Sequence, residues 1–147
     1  MILFLDFDGV LHPVPSQGRG LLCYIPRLEN VLRKFPDVKV VISSLWRASH
    51  DLSELREFFS EDIRPRIIGM TPFIEEIIEV WLFDLCQTRY AEILQWIDDN
   101  KYTGPWVALD DAYQEFPEDC KELIRCETIF GFDEEAEWRL VRYLIEH

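Results

Sequence analysis

Cysteine and histidine are scarce and unpatterned. Cys23, Cys86, Cys120 and Cys126 form no C-x-x-C pair, and His12, His50 and His147 are the only histidines in 147 residues. Such spacing supports neither a structural zinc site nor a disulfide frame, so a reducing cytoplasm is the expected setting. Basic residues are also in short supply. Fifteen Lys and Arg face 28 Asp and Glu, a formal charge of −13. That balance argues against a broad basic surface for nucleic acid or anionic membrane. A phosphorylated nucleic-acid end stays compatible, because local charge decides there. No apolar run approaches the roughly 20 residues that cross a bilayer. The N-terminal run lacks a basic flank and is too short for a signal peptide. Internal repeats and low-complexity linkers are missing as well. Apolar residues make up 48% of the chain. That excludes disorder, and the length suits one domain over residues 1–147.

What is present begins at once. Ile2 to Leu5 is an uninterrupted apolar run that leads into Asp6, Phe7, Asp8 and Gly9. A run of this kind closed by glycine is the pattern of a strand buried on both faces. In open α/β sheets ligands bind outside the carboxyl ends of strands, where these two carboxylates fall. Alternation along a strand places Asp6 and Asp8 on one side and Phe7 on the other. Two carboxylates so close repel each other, and a bound cation or a shared proton relieves them.

The rest of the chain alternates. Leu11 to Gly20 is a turn-rich stretch with two prolines and two glycines, expected as a flap over the end of the first strand. Pro26 suits a first helical position, and Leu28, Val31, Leu32 and Phe35 form a helical stripe. Val38 to Ile42 reads as a second strand ending in Ser43 and Ser44. Asp51 with Glu54 predicts a capping box for a helix carrying Leu52, Leu55 and Phe59. Arg66 to Met70 reads as a third strand, and Ile77, Ile78, Trp81, Leu82 and Leu85 fit a helix. Tyr90, Ile93, Leu94 and Ile97 mark an amphipathic helix. Trp106 to Leu109 is a fourth strand ending in Asp110 and Asp111. Pro117 is expected to open a helix with Cys120, Leu123 and Ile124, and Thr128 to Phe132 a fifth strand. The last helix begins at Asp133, with acids in its first turn and Arg139 and Arg142 later. Alternating strands and helices predict a mostly parallel five-stranded sheet covered on both faces, a Rossmann-like three-layer α/β fold.

Parallel strands bring their carboxyl ends to one edge. There Asp6, Asp8, Asp110 and Asp111 make an oxygen-only donor set suited to Mg²⁺. Ser43 or Ser44 adds a hydroxyl, and Arg89, at the start of a helix, adds a cation. Carboxylates, a metal, a hydroxyl and one positive charge are what phosphoryl transfer needs. Arg47 could grip a substrate phosphate or pair with a surface acid, and His12, close behind Asp8, is a candidate lining residue.

The order of these motifs resembles the haloacid dehalogenase-like superfamily of phosphatases and phosphotransferases. Asp6-Phe-Asp8-Gly9-Val10 resembles its Asp-x-Asp signature, Ser43 its second motif, Arg89 its basic third motif and Asp110-Asp111 its paired-acid fourth. The resemblance implies that Asp6 is the nucleophile, forming an aspartyl-phosphate, and Asp8 the general acid and then base. It implies that Asp6, Asp110 and the Asp8 backbone carbonyl hold Mg²⁺, with Asp111 a ligand or near neighbour. Ser43 would hydrogen-bond the phosphoryl oxygens and Arg89 offset their charge. An acid at the second position points to phosphohydrolase chemistry.

Members of this superfamily often carry a cap domain after the first or third strand. Leu11 to Ile25 and Pro72 to Thr88 are both too short for a folded domain. A capless, open site is therefore expected, with Trp81 and Phe83 able to flank its entrance. Small or macromolecular phosphorylated substrates would fit, and a partner chain, a second copy included, could serve as lid. Two other classes compete: a receiver-like phosphoacceptor domain and a non-catalytic binding module that keeps the fold. The receiver reading needs an aspartate near the end of a middle strand, and Ile67 to Thr71 has none.

Overall fold

Ile2–Leu5 (β1) lies between two partners, which is why it has no polar face to spare. In the computed structural model, which describes residues 1–16, 18–74 and 87–147, β1 pairs in parallel with Lys39–Ile42 (β2) and with Trp106–Asp110 (β4). Ile67–Met70 (β3) extends the sheet beyond β2, and Leu123–Arg125 (β5) extends it beyond β4. All four pairings are parallel and the order is β3-β2-β1-β4-β5. The α-helices are α1 (Ile25–Lys34), α2 (Leu52–Glu57), α3 (Thr88–Asp99) and α4 (Glu134–Glu146).

Side-chain alternation divides the core between the two faces of the sheet. Leu3, Leu5, Val40, Ile42, Val107 and Leu109 pack with Leu28 and Leu32 of α1, Leu55 of α2 and Leu140 of α4. Ile2, Phe4, Val41 and Ala108 pack on the opposite face with Ile93 and Trp96 of α3. Phe4 meets Trp96 and Trp106 edge-on, with centroids 5.6 and 5.7 Å away. Each such side chain contributes about 1.5–3 kcal/mol by leaving water. The expected three-layer α/β sandwich is therefore what forms, and β1 is its centre.

The expected caps are present where the sequence places them. Asp51 accepts from the Glu54 N–H at 2.8 Å, and the Glu54 carboxylate accepts from the Asp51 N–H at 3.2 Å. Asp133 accepts from the Ala136 N–H at 2.9 Å and starts α4. In α3 the buried residues include Ile93 and Trp96, while Leu94 of the expected stripe is exposed.

The fifth strand is not where the sequence suggests. Residues after Pro117 form turns rather than a helix, and Leu123–Arg125 is the strand. A three-residue strand is too short to show a period, so Leu123 and Ile124 read equally well as helix positions. Thr128 to Phe132 has strand-like composition but forms a turn, closed by Gly131 at φ 69° and the isolated Glu127–Gly131 bridge. Ile129 and Phe130 are exposed there, and the edge of β4 is already taken by β5. The expected helix containing Ile77, Ile78, Trp81, Leu82 and Leu85 lies outside the described residues, as does Phe83.

Candidate active site

The register of the sheet assembles the site. Leu5 is level with Ile42 on one side and Leu109 on the other, so the next residues, Asp6, Ser43 and Asp110, emerge together. The Asp6 N–H bonds the Leu109 carbonyl at 3.1 Å, and the Ser43 N–H bonds the Leu5 carbonyl at 2.9 Å. By alternation Asp6 and Asp110 leave the sheet on the α3 side, continuing the rows of Phe4 and Ala108. Arg89, the second residue of α3, meets them there. Its Nη1 is 2.8 Å from Asp110 Oδ2 and 3.2 Å from Asp6 Oδ1.

This cluster is buried and short of positive charge. Burial pushes the Asp6 carboxyl well above the usual range, the Asp110 charge adds to it, and Arg89 opposes both. Burial likewise pushes Asp110 up to about 6, although Arg89 and the Ala112 N–H favour its charged form. For Arg89 burial works against the charge, but Asp110 and Asp6 outweigh it and the proton is held more firmly than usual. One guanidinium thus faces more carboxylate than it can neutralise.

Ligand oxygens of Asp6, Asp110 and Asp111 all lie within 4.8 Å of one another. Opposite ligands of an octahedral Mg²⁺ stand about 4.2 Å apart, so a small contraction would close the set on that ion. All-oxygen donors and an excess of negative charge both fit a hard divalent cation. Asp8 does not add its carboxylate to this cluster. The chain leaves the strand after Leu5 and turns, with the Val10 and Leu11 N–H groups both bonding the Phe7 carbonyl. The Asp8 side chain is 54% exposed and bonds His12 instead. Gly9, at φ 72°, closes the turn: a Cβ there would collide with the Asp111 carboxylate and lie 3.2 Å from Thr128 Cα.

The two serines separate cleanly. Ser44 accepts from the Trp46 N–H at 3.2 Å and caps a single 3₁₀ turn over Leu45–Ala48. Ser43 Oγ is buried and has no partner among the described residues. A buried hydroxyl left without a bond costs about 1–3 kcal/mol, which a bound hydrogen-bonding ligand would recover. Ser43→Ala is accordingly expected to leave the melting temperature unchanged or slightly raised in thermal melts, because no hydrogen bond is lost. Thr71, just past β3, holds a second buried hydroxyl of this kind.

Arg47 is committed elsewhere. It donates to the Thr71, Ser43 and Ser44 carbonyls at 3.0, 2.7 and 2.8 Å, and to Glu92 Oε2 at 2.6 Å. Phe73 covers its guanidinium, with the ring centroid 3.9 Å away. Arg47 pairs with an acid, but not with the surface acid that the sequence suggested. The acid, Glu92, is buried on α3 rather than on the surface. Arg47 thus ties the ends of β2 and β3 to the helix that carries Arg89. Breaking such a buried pair typically costs about 3–5 kcal/mol, and Arg47→Ala is expected to lower the unfolding free energy by a similar amount, read from the midpoint and slope of denaturant melts.

His12 is also more than a lining residue, for its Nε2 lies 2.9 Å from Asp8 Oδ1. Trp46, Thr128 and Glu92 were not anticipated. Trp46 donates from Nε1 to Asp8 Oδ2 at 3.0 Å, and the Thr128 hydroxyl donates to Asp111 Oδ2 at 2.7 Å. Only Trp46 had a legible signal, its position two residues beyond the serines that follow β2. His50 stacks on the Trp46 ring rather than entering the site. His147 lies at the far end of α4, where it stacks on Tyr143.

No helix among the described residues is long and apolar enough to cross a membrane. No curated protein and no solved structure matches the chain. The family described as the HAD domain in Swiss Army Knife RNA repair proteins matches residues 2–136, a span that contains every site residue named above. With the Asp-x-Asp strand end, the hydroxyl, the basic residue and the paired acids in that order on one sheet edge, the chain belongs to this family of haloacid dehalogenase-like hydrolase domains.

Proposed function

We propose that this domain is a Mg²⁺-dependent phosphohydrolase that works through an aspartyl-phosphate on Asp6. The observation that carries the reading is the juxtaposition of buried Asp6 with Asp110, Asp111 and Arg89, beside the unpartnered Ser43 hydroxyl. In the first step an Asp6 oxygen attacks phosphorus, the bond to the ester oxygen breaks, and Asp8 gives that oxygen a proton. In the second, water attacks phosphorus, Asp8 takes the proton, and the Asp6–phosphorus linkage opens to release phosphate. Arg89 and the Ser43 hydroxyl hold the non-bridging oxygens through both steps. Mg²⁺ held by Asp6, Asp110, the Asp8 carbonyl and Asp111, directly or as a close neighbour, would neutralise charge on the phosphoryl group and orient it.

The substrate class we favour is a phosphorylated RNA end. The family description refers to RNA repair proteins. The segment between β1 and α1 is too short for a cap, so we read the site as open to a long chain whose terminal phosphate alone enters. The charge of −13 agrees with recognition of the end rather than the length of the strand. Lidding by a partner chain or a second copy remains part of this proposal, as does a cytoplasmic setting.

Release of inorganic phosphate from 5′- and 3′-phosphorylated oligoribonucleotides tests the reading directly. Release that requires Mg²⁺ and stops with chelator is the expected result. Turnover of small phosphate esters with RNA ends untouched would keep the chemistry and overturn the substrate class.

A further inference from the structure

Among the described residues, Asp8 is the site carboxylate gripped by two rings, one from the flap and one from the loop after β2. His12 Nε2 lies 2.9 Å from Asp8 Oδ1, and Trp46 Nε1 donates to Asp8 Oδ2 over 3.0 Å. The tautomer of His12 is fixed. The Leu22 backbone N–H, which can only donate, reaches His12 Nδ1 at 3.1 Å. Nδ1 therefore accepts, the ring proton sits on Nε2, and Nε2 donates to Asp8. His12 is 2% exposed, so solvent does not compete for the ring. Trp46 is braced in turn: Phe7 meets it edge-on at 5.4 Å, His50 stacks on it at 5.6 Å, and Ser44 holds its backbone N–H.

Without these donors the Asp8 carboxylate, half in water on a turn, would sample several rotamers. A proton-transfer group must instead stay within hydrogen-bond reach of the reacting oxygen. We propose that His12 and Trp46 form a two-ring cradle that positions Asp8 for proton transfer, one ring N–H on each carboxylate oxygen. The inference rests on the phosphohydrolase reading above and assigns two positioning residues to it. Each ring occupies a lone pair on a different oxygen, so the transferable proton sits on a lone pair turned away from both rings. The ester oxygen has to approach from that side. Neither ring gives its own proton to the substrate. The cradle also joins the flap to the loop after β2, since His12 belongs to one and Trp46 to the other.

Leaving-group dependence tests the cradle. The parameter kcat/KM covers events only up to phosphoryl transfer to Asp6, and it is measured for esters ranging from activated aryl phosphates to alkyl phosphates. Trp46→Phe keeps an aromatic ring and loses the N–H, His12→Ala loses its donor, and His12→Gln restores an N–H near the Nε2 position. Trp46→Phe and His12→Ala are expected to lose about tenfold or more on alkyl esters, yet stay within about twofold on the most activated aryl ester. His12→Gln is expected to recover most of its loss. Equal loss on both ester classes, or none on either, overturns the cradle and leaves the phosphohydrolase reading standing. A wild type that turns over no ester overturns that reading and the cradle together. Nitrogen chemical shifts of the His12 ring give a readout independent of turnover: the proton is expected on Nε2, and a ring protonated on Nδ1 instead overturns the assignment.

Discussion

Asp6→Asn is expected to abolish turnover and at the same time to stabilise the metal-free protein. In the proposed mechanism Asp6 is the nucleophile, so its loss removes the covalent route and kcat is expected to fall by at least about 10⁴-fold in phosphate-release assays. The amide keeps the shape of the side chain but not its charge. In the native chain, burial and the neighbouring Asp110 charge hold the Asp6 proton well above the usual carboxylate range, which means that the charged form is resisted. Replacing it by a neutral group leaves Arg89 paired with Asp110 at 2.8 Å and removes the surplus anion. A gain of about 1–2 kcal/mol is expected, seen as a melting temperature higher by a few degrees without added metal. A variant that loses both activity and stability would place Asp6 among the structural groups of the fold.

Mg²⁺ is expected to stabilise the wild type strongly at pH 7.5 and weakly at pH 5. Asp110 keeps its proton up to about 6 in the folded chain, whereas an unfolded aspartate releases it near 3.8. Between those values the folded state holds more protons, so stability without metal falls as pH rises from about 4 to about 6 and then levels off as far as Asp110 is concerned. Asp6, raised as well, extends the decline upward. A cation competes with those protons, because its ligands must be ionised. At a hundredfold excess over Kd, binding to the folded state adds about 2.7 kcal/mol. Thermal melts at the two pH values, with and without Mg²⁺, show the effect. Asp110→Asn keeps an oxygen for the Ala112 N–H, which now bonds Asp110 Oδ1 at 2.9 Å, but is expected to lose the metal response. An undiminished response in that variant would move the metal away from Asp110.

Much of this site could be read in the chain because parallel strands convert sequence into position. An apolar run followed by a polar residue fixes where that residue emerges, and three such runs, ending in Asp6, Ser43 and Asp110, fix one edge. Hence Asp6, Ser43, Asp110 and Asp111 come together as their strands dictate. The alternation rule failed at Asp8 because the strand stops at Leu5 and Gly9 turns the chain, which sends that carboxylate to His12 and Trp46. Arg89 was found through its place at the start of a helix. Arg47 was harder, since a buried pair and a phosphate contact leave the same trace in a sequence. Its partner Glu92 lies 45 residues away, and only the folded arrangement of α3 against the sheet reveals it. Thr128 was missed for a similar reason, because a turn residue that holds Asp111 has no period to betray it. The fifth strand escaped because three residues are too few to distinguish one period from another.

The central claim is that phosphate passes through Asp6, and trapping the covalent species tests it most directly. Asp8→Asn can neither protonate the leaving group nor accept a proton from water. Activated aryl phosphates need little help in the first step, whereas the second still lacks its base. The variant is expected to form aspartyl-phosphate faster than it loses it, with steady turnover lower by about 10²–10⁴-fold. After rapid acid quench with labelled substrate and Mg²⁺, the account expects label on Asp6, stable to acid and released by hydroxylamine. Label on a serine, or an unlabelled protein during a measurable burst of product, would contradict it.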